Sequence, residues 1–409
     1  TYRYYPLFQD FLLNHLRSME NGPSLEEEER ELENLKSQHK PEMAAEKQEV
    51  LFDKIAKLRR KIAFQNPLLD FDKILFIKHD KMARGERHMI DQYLGFNQRK
   101  AGGVYVLEKP FSNDPEVKSL LDDSKVQNGR LKGRFLEDNG SFISLELDYD
   151  AEYIYFAFTE AESDPYPKGG SEDCKLLALK NVRGNKNHWG AYYAFTPERN
   201  FQIMRMDADG SNLTALTDAS HNDFDPCILP NGRIVFISDR AEGNHRCGAR
   251  YCGTYTLHAM MPDGSDIIQF SFHDTNNGMI VYTRWDYVDR DSDIAHHIWH
   301  CYPDGTDPRS FHGNYPKKRE SRPWMEMAIR AIPDSRKYVT VAAPHHGENY
   351  GSLVLIDIRK KDDGAMSQLK RITPESHFPE SERAPGVMHG KGSHRPNGEV
   401  YGQPWPLSE

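Results

Sequence analysis

The feature that constrains this chain most is a turn that keeps returning. Asp-Gly steps stand at Asp209-Gly210, Asp263-Gly264 and Asp304-Gly305, spaced 54 and 41 residues apart. Asp-Gly and Asn-Gly supply the positive φ angles that a tight hairpin needs. In FQIMRMDADGSNLTALTDASHNDFDPCILPNGRIVFISDR (201–240) two such turns, at 209–210 and 231–232, are flanked by apolar residues that alternate with polar ones. That stretch predicts a four-stranded antiparallel unit. Units recurring at this spacing predict a mainly β fold, a β-propeller of six or seven four-stranded blades. Five blades are traceable, and the one around Thr275–Asn277 is short: Gly264 to Gly278 spans 14 residues, against 22 from Gly210 to Gly232. A truncated loop or missing residues there would account for it.

The unit with Asp-Gly-Ser/Thr followed by Asn-Gly-Arg-Ile-Val-Phe-x-Ser-Asp-Arg resembles the TolB-type propeller repeat. Three further stretches, Thr254–His258, Tyr282–Arg290 and Tyr401–Ser408, resemble bacterial proteins related to the middle domain of the hydrazine synthase alpha subunit. The resemblance runs from about Leu69 to the end and implies a propeller. Covalent haem attachment needs Cys-x-x-Cys-His, whereas Cys247 and Cys252 have four residues between them and Gly253 after them. Haem is therefore not expected, and haem-based hydrazine synthesis is not carried over.

Charge and hydropathy narrow the function classes. A formal charge of -9 lacks the concentrated basic face that phosphate contacts demand, which excludes a nucleic-acid binder. A mean hydropathy of -0.76 with no long apolar run excludes a transmembrane span. No leader is visible at Thr1, where processing or an incomplete chain would hide the address; an exported protein, periplasmic or on the cell surface, is expected. Of five cysteines, Cys247 and Cys252 are close enough in sequence for a small-loop disulfide, and Cys227 and Cys301 read as buried thiols.

Residues 1–67 differ in kind from the rest of the chain. Ser24 and Glu27 read as a capping box, Pro41 as a first-turn proline, and Leu51, Ile55, Leu58 and Ile62 as one apolar helical stripe. Together with the segment Leu7–Leu16 they predict a helical appendage at 1–67 ahead of a propeller at 68–409. The stripe can pack internally or dock a protein partner.

In a propeller, polar loops distant in sequence meet at one end of the channel. The candidates are His88, Asp91, Gln92 and Tyr93; Arg240; Arg284, Trp285, Asp286 and Asp289; and His345 and His346. A His beside a carboxylate can act as base or bind a metal, and Arg can mask a substrate carboxylate. The expected catalytic set is His88, His346, Arg240, Arg284 and Asp286. Gln92, Tyr93, Trp285 and Trp189 would contact a polar, carbohydrate-like ligand. His88, Asp91, His345 and His346 would hold one divalent ion, calcium, zinc or manganese. Lyase-like chemistry and a non-catalytic scaffold in an envelope complex both remain open.

Overall fold

The computed structural model describes residues 5–40, 42–79, 100–160, 200–241, 255–269, 279–290, 293–302, 306–310, 312–313, 323, 325–343, 350–363, 366–374, 376 and 401–408. The chain divides into two compact units, Thr1–Ile74 with Leu107–Val117, and Leu75–Val106 with Lys118–Glu409.

The first unit contains helices α1 (Tyr5–Ser18), α2 (Glu26–Gln38) and α3 (Ala45–Ala63). The predicted stripe is spent inside it: Leu51, Leu58 and Ile62 are buried, with Ile55 beside them, against Leu13, Leu16, Leu25, Leu32 and Leu35. An apolar stripe at 3.6-residue period is used up once two other helices cover it. Glu28 lies in this core, where Lys61 Nζ at 3.0 Å and Gln65 Nε2 at 2.9 Å meet its Oε1. Burial pushes its carboxyl up, but those two donors together hold it below the ordinary value. The expected capping box does not form: Leu25 is the N-cap residue of α2, and no side chain caps it. Four consecutive glutamates, Glu26–Glu29, favour the positive helix end instead. Pro41 lies outside the described residues.

Strands make up most of the second unit. β1 (Lys73–Lys78), β2 (Gly103–Glu108) and β3 (Glu116–Ser119) form a three-stranded sheet in that order. β4 (Ser141–Leu147), β5 (Tyr153–Thr159), β6 (Gln202–Asp207) and β7 (Thr214–Ala215) form an antiparallel four-stranded sheet. β8 (Asp223–Ile228), β9 (Ile234–Ser238), β10 (Thr256–Met260) and β11 (Ile268–Gln269) form a second of the same order. A seven-stranded sheet holds β12 (Ile280–Arg290), β13 (Asp293–Cys301), β14 (Arg309–Ser310), β15 (Met325–Ala331), β16 (Lys337–Ala343), β17 (Ser352–Asp357) and β18 (Leu369–Arg371). Its two parts, β12–β14 and β15–β18, are joined through β13 and β15, which run parallel with one register pair, His296–Met325.

Two expectations about phase are corrected. The 201–240 stretch is not one sheet: β6 and β7 finish one sheet, and β8 and β9 begin the next. The Asp-Gly turn closes a third-to-fourth strand hairpin, while the Asn-Gly turn closes a first-to-second one, so the true repeat is offset by half a unit. β4 and β5 belong to a separate sheet from β1 and β2, because β3 completes that sheet first. Among the described residues, no strand precedes β12 in the place that β4 and β8 occupy in their sheets.

The turns are built alike. In the first, the Gly210 amide donates to Asp207 O at 2.9 Å and the Ser211 amide to Asp209 Oδ1 at 2.9 Å. The second repeats both bonds at Met261–Gly264 and Asp263–Ser265, each at 2.9 Å. Gly210 and Gly264 have φ of 90° and 85°, and Asn212, Asp266 and Asp307 adopt 54°, 52° and 54°. A large core of Phe142, Phe156, Phe158, Met204 and Met206 also takes in Val104, Leu121 and Leu136, so it extends beyond one sheet.

A Cβ on Gly210 would stand 2.2 Å from Leu120 O, whereas one on Gly133, at φ of 82°, would meet nothing within 4 Å. Gly133→Ala should therefore cost only the left-handed penalty, about 1–2 kcal/mol. Gly210→Ala adds a backbone clash and should cost about 3 kcal/mol or more. Urea unfolding of the two variants checks this, and equal losses would contradict the packing described.

Candidate functional site

Each four-stranded sheet sends the connection between its second and third strands out at the end where its first strand begins. In the β8–β11 sheet that end is polar. Asp223 opens β8 directly across from Ser238, and Ser238 lies across from Thr256 on β10, so three polar residues form one cross-strand row. Arg240, two residues past Ser238, turns back and pairs with Asp223, which is 0% exposed. Burial pushes the Asp223 carboxyl up, and Arg240, Ser238 and Thr217 pull it back.

Next to this row lies an Asp–His pair. His221 Nδ1 is 3.3 Å from Asp239 Oδ1, with 32% of the His221 side chain exposed against 5% for Asp239. Asp239 Oδ1 also accepts the Asn222 amide at 3.0 Å, and Asn222 Nδ2 donates to Tyr255 Oη at 3.1 Å. Burial raises the Asp239 carboxyl. A buried carboxylate on Nδ1 orients an imidazole and favours one tautomer, the device by which a partly exposed His handles protons. His258 stands close enough to feel both Arg240 and His221; burial first, then those two charges, lower its pKa.

A second polar group involves β4 and β8, which open the two four-stranded sheets, and β15, which opens the second part of the seven-stranded sheet. β4, β8 and β15 each carry a register shift, at 143/146, 224/227 and 327/330. Each shift holds one residue with positive φ: Ser144 at 59°, Asp225 at 51° and Ala328 at 50°. Ser144 Oγ donates to the Asp225 carboxylate. Two residues past Ser144 and Ala328, Glu146 Oε2 accepts from Arg330 Nη2 at 2.7 Å, across 184 residues of chain. Burial pushes both carboxyls, Glu146 and Asp225, up. The Arg330 guanidinium also lies 4.5 Å from the ring centroid of Trp405.

Of the residues expected from sequence, Arg240 is held inward by Asp223. Arg284 is exposed and stacks its guanidinium on Trp299 at 4.3 Å. Trp285 and Asp286 continue β12, in register with His296 and Ala295. His88, Asp91, Gln92, Tyr93, Trp189, His345 and His346 lie outside the described residues, as do Cys247 and Cys252. By chain order they fall in the β1–β2, β5–β6, β16–β17 and β9–β10 connections. Two residues at the edges of these connections do meet: Tyr350 Oη is 3.5 Å from His79 Nε2. Among the described residues, no group of three His, Cys, Asp or Glu is arranged to hold a metal ion. Cys301 is buried and Cys227 partly so.

Sequence reasoning missed His221, Asp223, Glu146, Asp225 and Arg330. The signal for the first two was local, since His221-Asn222-Asp223 ends the crossing between two sheets. For the other three there was none, because their partners come from other sheets.

No protein-family model and no curated protein matches this sequence. Among solved structures, hydrazine synthase of Kuenenia stuttgartiensis is similar at 14% identity and a TM-score of 0.48, over 74% of this chain and 39% of that one. TolB from Acinetobacter baumannii is similar at 12% identity and 0.40, over 78% and 60%. An oligogalacturonate lyase in complex with manganese is similar at 11% and 0.31, over 78% and 88%. The chain thus spans about two-fifths of that hydrazine synthase chain and 60% of that TolB. Among the described residues, no helix is long and apolar enough to cross a membrane.

Replacing Arg330 by Met strands a buried carboxylate and should destabilise the protein by about 3–5 kcal/mol at pH 7. The loss should shrink as pH falls and Glu146 takes up a proton. Adding Glu146→Leu to Arg330→Met should recover most of it. Urea unfolding of the two single variants and the double variant forms the cycle; strict additivity would mean that the pair does not interact.

Proposed function

We propose that this chain is a TolB-like β-propeller of six or seven blades, at 68–409, preceded by a helical appendage at 1–67. In this reading it binds a polar, carbohydrate-like ligand at the end where second-to-third strand connections emerge. The observation that carries the reading is the His221–Asp239 pair: a partly exposed imidazole backed by a buried carboxylate, beside Arg240, at that end of a sheet. Arg284, spread on Trp299 and exposed, supplies a flat cation of the kind that receives a carboxylate. Proton transfer by His221 to or from such a ligand is the activity this arrangement suits, which includes lyase-like elimination from an acidic sugar.

A divalent ion on His88, Asp91, His345 and His346 belongs to the same proposal, and proton transfer at His221 does not depend on it. The reading includes export to the periplasm or cell surface. A second reading, a non-catalytic scaffold in an envelope complex, draws support from the way Glu146, Arg330, Asp223 and Arg240 neutralise one another. In that reading the partner of the helical appendage meets a face other than the buried Leu51–Ile62 stripe.

Calorimetric titration with neutral and uronate oligosaccharides, followed at the absorbance of unsaturated uronate, tests the first reading. His221→Asn should abolish turnover, and Arg284→Gln should weaken binding of the acidic ligands about tenfold, while leaving the melting temperature within a few degrees. Binding without turnover keeps the site and removes the chemistry. No binding across the panel transfers the weight to the scaffold.

Metal analysis of the purified protein should find one equivalent of a divalent ion, lost on replacing His346 with Ala. A metal-free protein that still binds ligand would discard the metal and keep the site.

A further inference from the structure

The seven-stranded sheet has a weak seam. Among the described residues, its two parts, β12–β14 and β15–β18, share one backbone register pair, at Met325. The next residue, Glu326, is 0% exposed and carries two further ties across the seam. Its carbonyl accepts the Thr283 hydroxyl of β12 at 2.8 Å. Its Oε1 lies 3.0 Å from Nε2 of His312, two residues past β14 and 1% exposed. The other ring nitrogen, Nδ1, lies 2.7 Å from Oε1 of Gln368, just before β18.

The orientation of Gln368 is fixed from its far side, because its Nε2 donates to Lys360 O at 2.9 Å. Both atoms facing the imidazole are therefore acceptors. A neutral imidazole has one N–H and one lone pair, so it can satisfy only one of them. Only the doubly protonated ring donates to both, and it also neutralises a carboxylate that has no exposure to water. The backbone of His312 is held in place as well, since the Ser310 hydroxyl donates to its carbonyl at 2.6 Å.

We propose that the His312 imidazolium is a proton-operated latch, closing the seam between the two parts of the seven-stranded sheet while it is charged and releasing it on deprotonation. Among the described residues, the ionisable groups acting on it are Glu326 from β15 and Asp362 from the β17–β18 connection; Gln368, from the same connection, contributes a neutral group. Burial disfavours the charged ring, and Glu326, Gln368 and Asp362 outweigh it, lifting the pKa from 6.5 to about 9. For a raised cation the sign is fixed: the latch is fully closed below pH 6.5 and is lost as pH rises towards 9. Opening starts at Met325 and Glu326, because among the described residues this pair bridges the two parts by backbone and carboxylate together.

Amide hydrogen exchange on the full chain tests this, with β4 and β5 as an internal reference for base-catalysed exchange. Between pH 7 and pH 10, the protection of Met325–Ala331 relative to Ser141–Thr159 should fall at least tenfold, with a midpoint near 9. Gln368→Leu, which keeps the ion pair and removes one acceptor, should shift that midpoint downward. Glu326→Gln should shift it further, by more than one pH unit, or else unfold the sheet; in that case the wild-type profile and Gln368→Leu decide. A relative protection that stays flat across the range overturns the latch. So does a midpoint at or below 6.5.

Discussion

The structure depends on a backbone constraint found three times among the described residues: one left-handed residue in the strand that opens a sheet or, at β15, a sheet's second part. Ser144, Asp225 and Ala328 each sit at φ near 50–60° inside a register shift. Such a bulge leaves one residue unpaired, bends the strand and strengthens its right-handed twist. None of the three is glycine, so each position carries a cost of about 1–2 kcal/mol that the surrounding contacts must offset. What offsets it is visible in two cases. The Ser144 hydroxyl meets the Asp225 carboxylate, and the residues two positions on, Glu146 and Arg330, pair across sheets. The strain and the inter-sheet contacts are thus parts of one arrangement: the bend aims side chains away from their own sheets and towards each other.

This explains which parts of the molecule could be read in the sequence. Turn chemistry is local, so Asp209-Gly210 and Asp263-Gly264 announce hairpins without help from the rest of the chain. The Leu51–Ile62 stripe is likewise local, and it announces a helix though not its neighbours. Sheet phase is a different matter. The apolar alternation of 201–240 lapses over Thr217–Asp223, and the chain changes sheets there. Nothing in that short run distinguishes a crossing from a hairpin loop. Bulge positions were also hidden, because serine, aspartate and alanine carry no common signature for positive φ. The Glu146–Arg330 pair depends on two such bulges and lay beyond reach for that reason. Ser24 and Glu27 show the reverse failure: a local signal was present, but four glutamates at the helix start and the position of Leu25 gave α2 a different beginning.

The charged groups sort into two classes by what faces them. Arg240 and Arg330 each pair with a buried carboxylate whose own pKa burial has raised. Pairs of this kind add little net stability over apolar residues of the same size, but they are costly to break, so they fix geometry more than they strengthen it. His221 and Arg284 are each held on one side, one by Asp239 and the other by the Trp299 ring, and both keep exposed surface. A side chain fixed from behind and open in front loses little entropy on meeting a ligand.

Arg240 and His221 show why the distinction bears on how such sheets acquire function. Asp223, Ser238 and Thr256 form a row across three adjacent strands, and Arg240 folds over it, so the sheet end is closed by its own charges. The His221–Asp239 pair uses neighbouring residues on the same two segments. One residue of offset along a strand carries a side chain to the opposite face. Asp223 and Asp239 can therefore serve opposite purposes, one neutralising an arginine inside the sheet and the other orienting a histidine at its end. Changing the histidine would leave the row untouched, which lets the sheet keep its stability while its outer residues vary.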